Sequence, residues 1–189
     1  MGIVYSPLKT IAMKKILLLV ACFGITLGHA QMQEISKQDK EFAEKAQMNN
    51  LMEQKLSEMA MRKGFAPEVK ELAQHMLANE RGHNLLRELS TNKSIPVYNK
   101  LDDEHQKAYN EMDVKSGEEF DKAYTECMVK DHKDALDLYE KQAKKGENTE
   151  LRAFAINSQP SLVSHRNLAE ETCKKLKDKK KDKGMAQTN

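Results

Sequence analysis

Apolar residues recur at steps of three and four in four stretches of the chain, each bounded by breakers or capping residues. That is the pattern of amphipathic helices. The first stretch carries Phe42, Ala46, Leu56 and Ala60 and predicts a helix from about Gln38 to Arg62, with Ser36 or Asp39 as cap and Gly64 as stop. The second carries Val69, Leu72, Ala73, Met76, Leu77 and Leu86. It opens at Pro67, a favoured first-turn position, and is predicted to run unbroken to about Ser90, ahead of Ile95-Pro96. A long link follows, with a short helix from Asp102 to about Met112, where Asp102, Asp103 and Glu104 suit the positive end of a helix dipole. The third long helix, with Phe120, Tyr124, Cys127, Ala135 and Leu138, opens at Ser116 or Gly117 and stops at Gly146. The fourth, with Leu151, Phe154, Ala155, Leu162, Ala169 and Cys173, runs from about Thr149 into a Lys-rich end. Pro160 removes one bond from it and predicts a kink. No stretch alternates as a strand would. Two short connections and one long one predict an all-α, ferritin-like four-helix bundle with one long crossover containing a short helix.

Ahead of the bundle the pattern changes. Met13, Lys14 and Lys15 precede an unbroken apolar run, Ile16 to Leu27, and Gly28-His29-Ala30 supplies small residues at a cleavage position. The run is too short to span a membrane and fits the apolar core of a signal peptide. Residues 1–30 are therefore expected to be a leader, with 1–12 as an extended basic region, and 31–173 the bundle domain. Leu19-Val20-Ala21-Cys22 also resembles a lipobox, which would anchor the chain through a lipid on Cys22. The run of apolar residues continues beyond Cys22, which favours cleavage and free export. Both routes place the protein outside the cytoplasm, in a periplasm or cell envelope.

Composition narrows the class. The 189 residues are 32% charged and 5% aromatic, with no Trp and 3 Cys, which excludes a disulfide scaffold and argues against a β-sandwich. The segment Lys174 to Lys183 holds seven Lys against two Asp, while the region before it is acidic. An acidic body with a basic, partly disordered tail over 174–189 excludes a nucleic-acid binder. The tail suits weak association with an anionic membrane or cell-wall polymer.

The candidate chemistry lies where polar residues interrupt the apolar stripes. Glu53 interrupts the first, Glu80 and His83 extend the second, Asp131 and His132 fall on the third, and His165 sits between Leu162 and Ala169 on the fourth. Counted from the helix turns, these positions come to similar heights in the bundle. Carboxylates and imidazoles facing inward at one level suit Fe, Mn or Zn. Glu80-Arg81-Gly82-His83 is a Glu-x-x-His spacing, but it occurs once, and a di-metal site of the ferritin kind needs two. The same residues also suit a buried polar network that fixes helix register, or plain exposure. In the network reading, Glu53→Ala or His165→Ala lowers stability more than a surface change does. Met48, Met52, Met59, Met61 and Met76 lie on or beside apolar stripes and read as core filler. Cys127 and Cys173 differ in height by more than disulfide reach and are expected as free thiols. No phosphate loop, nucleophile elbow or paired Cys-x-x-Cys is present, and no catalytic residue is assigned.

Several of these segments together resemble the bacterial envelope family known as domain of unknown function 4142. They are Glu53, Val69-Lys70-Glu71-Leu72-Ala73 with Met76, and Gly117 to Tyr124 (GEEFDKAY). Met128-Val129-Lys130-Asp131-His132, Pro160-Ser161-Leu162 and His165 complete the set. The resemblance implies a ferritin-like fold over about Glu41 to Leu176 and no established reaction. It departs at Asn79-Glu80, where the family pattern has Asp-His, and His83 follows one turn later. Three functions are compatible with the whole: an exported bundle binding a metal or small ligand, a metal-dependent oxidase of the ferritin type, and a non-catalytic envelope interaction module.

Overall fold

The computed structural model describes residues 34–186, together with Gly2. Apart from Gly2, the expected leader over 1–30, including Cys22, lies outside them, as do the last three residues of the tail. The regular structure of residues 34–186 is all helical: α1 (Lys37–Lys63), α2 (Pro67–Leu77), α3 (Glu80–Asn92), α4 (Asp103–Asp113), α5 (Gly117–Lys145) and α6 (Thr149–Ala186). No described helix is long and apolar enough to cross a membrane.

α1, the α2–α3 pair, α5 and α6 form the four columns of a bundle. α1 packs on α2–α3 and α5, and α6 completes the ring against the same two columns. The link from α3 to α5 returns along the bundle and carries α4, which packs on α1 and α5. α2–α3 and α5 therefore run parallel, as one long crossover requires.

The second column differs from the unbroken helix expected. α2 ends at Leu77, and α3 restarts at Glu80 after Ala78 and Asn79. The Ala78 N–H turns to the Gln74 and His75 carbonyls, and the Gly82 N–H to that of Asn79. Asn79 and Gly82, both poor helix formers, straddle the break and leave the ladder little reason to continue. α6 does run through Pro160. There Gln159 and Ser158 direct their side chains to the carbonyls of Ala155 and Phe154, within the turn that the missing N–H weakens.

The two tight turns are held alike. At one end Asp39, fully buried in the first turn of α1, accepts the Glu147 and Asn148 N–H groups at 3.2 and 2.9 Å and a bond from Gln142. At the other end Asp121, buried near the start of α5, accepts the Phe65 and Ala66 N–H groups at 2.9 and 2.7 Å. Each aspartate satisfies donors that a helix start leaves without partners.

The core divides in two. Leu56, Met59, Leu72, Met76, Phe120, Tyr124 and Met128 make one apolar cluster. Phe42, Ala46, Tyr139, Leu151, Phe154 and Leu162 make the other, with Phe42 and Tyr139 meeting edge to face at 5.0 Å. Met48, Met52, Met59 and Met76 are buried filler as expected, and Met61 is exposed. Cys127 and Cys173 are free and half-buried.

Candidate metal centre

On α1, α5 and α6 the polar residues between the two apolar clusters meet. Glu53 follows Ala46 and precedes Leu56, His132 lies between Met128 and Ala135, and His165 lies between Leu162 and Ala169. His132 Nε2 is 3.8 Å from Glu53 Oε2, and His165 Nδ1 is 4.0 Å from Glu53 Oε1. The two imidazole rings stand edge to face at 5.4 Å. One ligand atom from each of the three lies within 4.8 Å of the others.

None of these separations is a hydrogen bond. Glu53 Oε1, His132 Nε2 and His165 Nδ1 are buried and have no partner. His132 Nδ1 lies 2.9 Å from the Met128 carbonyl, which can only accept. That nitrogen therefore carries the hydrogen, and Nε2 presents its lone pair to the cluster. Burial, reinforced by the Asp131 charge, pushes the Glu53 carboxyl up to about 8. Burial lowers His165 to about 4, with His132, His75 and His83 adding to the effect, and it lowers His132 too. At neutral pH the groups are therefore a neutral acid and two neutral imidazoles, and no ion pair joins them.

The donor set suits a cation. N and O ligands about 2.1 Å from one ion stand roughly 3–3.6 Å apart, so these three, now within 4.8 Å of one another, need to close by up to about an ångström. Positive charge would ionise Glu53 and meet all three orphaned atoms at once. A cavity of about 290 Å³ adjoins Glu53 and His132. Asp131, Cys127 and Tyr139 share its wall, and α4 contributes Glu104 and His105.

The other candidate residues take different places. Asp131 is half-buried beside the triad and accepts the Cys127 thiol proton at 3.1 Å. Burial raises its carboxyl and also pushes the Cys127 thiol up. His83 is half-buried with an orphaned Nε2, close enough for its charge to act on His165, but it is not one of the three. Glu80 is exposed as the first residue of α3. Its placement on the inward stripe assumed that α2 continued past Leu77, and the break turns it outward. The Glu-x-x-His pair thus does not converge on the triad. Sequence reasoning passed over His75, whose charge also reaches His165. Its exposed position between Ala73 and Met76 leaves the apolar stripe unbroken and gave no sign of it.

No curated protein sequence matches the chain. The fold is similar to a crystal structure described as a DUF305 fragment from Deinococcus radiodurans. The two share 11% identity and a TM-score of 0.64, over 75% of this chain and 98% of that one. At that identity the likeness is one of fold. Residues 25–172 match the family profile described as Domain of unknown function (DUF4142), and this stretch holds Glu53, His132 and His165 together with both aspartate-held turns. The chain belongs to the DUF4142 family.

Proposed function

We propose that this protein is an exported helical bundle that holds one divalent transition-metal ion between α1, α5 and α6, with Glu53, His132 and His165 as ligands. The observation that carries the reading is the convergence of three buried lone-pair atoms without partners. A register-fixing network would pair them with one another. One carboxylate and two imidazoles suit Fe(II), Mn(II) or Zn(II). Asp131 stands beside the ligands, where its charge tunes them, and His83 is a half-buried imidazole nearby. The export reading is supported by the basic and apolar segments of residues 13–30, and the Lys-rich end suits contact with an anionic envelope surface.

A metal-dependent oxidase is the second reading, favoured by the cavity against Glu53 and His132. Three protein ligands leave positions open on an ion, and the cavity is where a small molecule would reach them. Elemental analysis of untagged protein, with melting curves in added Fe(II), Mn(II) and Zn(II), tests the first reading. About one ion per chain, lost in a Glu53→Ala/His132→Ala double variant, is expected. Empty protein whose melting temperature ignores all three metals would overturn it. Oxygen consumption by the Fe(II)-loaded protein separates the second reading from simple storage.

A further inference from the structure

At the end of the bundle beyond Gly64 lies a second cavity, about 410 Å³, between the α1–α2 turn, the start of α5 and the late turns of α6. Its volume falls in the range of small-molecule sites. It lies about twelve residues along α1 from Glu53, close to 18 Å at the helical rise, so it is separate from the metal ligands.

Two kinds of surface line it. Phe65, Ala66, Pro67 and Leu176 give an apolar wall, and Lys122, Lys177, Lys179 and Lys180 stand around it. Phe65 is 64% exposed, which is unusual for a phenyl ring next to a fixed backbone. Its own N–H and that of Ala66 are bound to Asp121, and Pro67 has a fixed φ. The backbone that carries the ring is therefore fixed at the edge of the groove. Leu176 packs partly on the core and so fixes the opposite wall. Two carboxylates, Glu118 and Asp121, also line the groove, and Asp121 is spent on the turn amides, so the four lysines outnumber the acids and leave the surface net positive. Lys179 already pairs with Glu68 and ties α6 to α2 at the groove edge.

We infer that this groove binds a single-chain anionic amphiphile. The acyl chain lies along Phe65, Pro67 and Leu176, and the carboxylate or comparable head lies among Lys122, Lys177 and Lys180. A small inorganic anion would leave the apolar wall wet, and a neutral hydrocarbon would leave the excess of lysine charge uncompensated. Only a molecule with both parts satisfies both surfaces.

Calorimetric titration of the full chain with dodecanoate and tetradecanoate, below micelle formation, tests this. Dodecyltrimethylammonium and dodecyl maltoside serve as cationic and neutral controls. One carboxylate per chain is expected, with affinity rising about fourfold for each added methylene. A Lys177→Glu/Lys180→Glu double variant weakens carboxylate binding about tenfold and leaves the maltoside unchanged. Phe65→Ser weakens the carboxylates and the maltoside alike, about fivefold. All three positions are exposed, so the variants should melt with the parent. Equal uptake of the trimethylammonium compound, no dependence on chain length, or no uptake at all would overturn the inference. So would binding to anionic vesicles without uptake of monomeric carboxylate, which would make this end a membrane-contact surface.

Discussion

Glu53 faces two imidazole nitrogens that give it nothing in the metal-free protein. Each buried, unpartnered polar atom costs about 1–3 kcal/mol. The sequence expectation that Glu53→Ala lowers stability assumed paired groups, and the geometry changes the sign for a substitution that refills the space. Glu53→Leu is expected to raise the stability of metal-free protein by about 1 kcal/mol, read by urea unfolding with chelator. It should also abolish any metal-induced rise in melting temperature. A loss of stability instead would show that Glu53 is paired in solution. Asp39 is the opposite case. Burial alone would raise its carboxyl, but bonds from Ser36, Gln142 and the Asn148 and Glu147 amides hold it below its ordinary value. A depressed carboxyl stabilises fully above its unfolded value near pH 4, and that contribution fades as pH falls through the lowered folded one. Asp39→Asn should therefore lower stability at pH 6 by about 2 kcal/mol and flatten the acid side of the stability profile. Of these residues, Glu53, His132 and His165 were legible because a polar group on an apolar stripe stands out. The roles of Asp39 and Asp121 were not legible, because their partners are backbone amides on distant turns, which leave no mark in the residue pattern.

The helix ends decide how the elements fit. A methyl group on Gly64 would come within 2.6 Å of the Ala60 carbonyl, and one on Gly146 within 2.7 Å of the Gln142 carbonyl. Both obstacles are backbone and cannot move aside. Gly64→Ala and Gly146→Ala should each cost more than about 2 kcal/mol in chemical denaturation. Gly82 differs, because its nearest neighbour is the end of the Asn79 side chain at 3.0 Å. Asn79 can turn away, so Gly82→Ala should stabilise by about 0.5 kcal/mol through helix propensity alone. Across elements, the Ser57 and Tyr124 hydroxyls meet at 3.0 Å in the core and join α1 to α5. Tyr124→Phe leaves Ser57 unpaired and should cost about 1–2 kcal/mol. Helices with long apolar stripes were legible nearly to their ends. The α2–α3 break was not, since no proline marks it and the apolar residues on both sides keep a helical step. Glu80 was misplaced for that reason.

At the scale of the molecule, the proposed metal ligands come from three columns and lie between the two apolar clusters. An ion there would tie α1, α5 and α6 at the level where apolar packing is interrupted. Zn(II) at about a hundred times its dissociation constant should add about 2.7 kcal/mol to unfolding, and His132→Ala should remove the gain. The bundle class and the long crossover were legible from connection lengths. The groove at the α6 end was not, because it needs the first turn of α2 and the late turns of α6 side by side, and no local spacing records that.

The two aspartate-held turns have a consequence for how the chain assembles. Asp39, in the first column, completes the turn between the last two, and Asp121, in the third, completes the turn between the first two. Neither hairpin is finished by its own residues. A chain that has formed only one half keeps two amides without their acceptor and a carboxylate without its donors. Half-assembled molecules are thereby disfavoured whichever half comes first. Each half acts as the other's proofreader, and the chain is expected to fold and unfold as one cooperative unit despite its divided core.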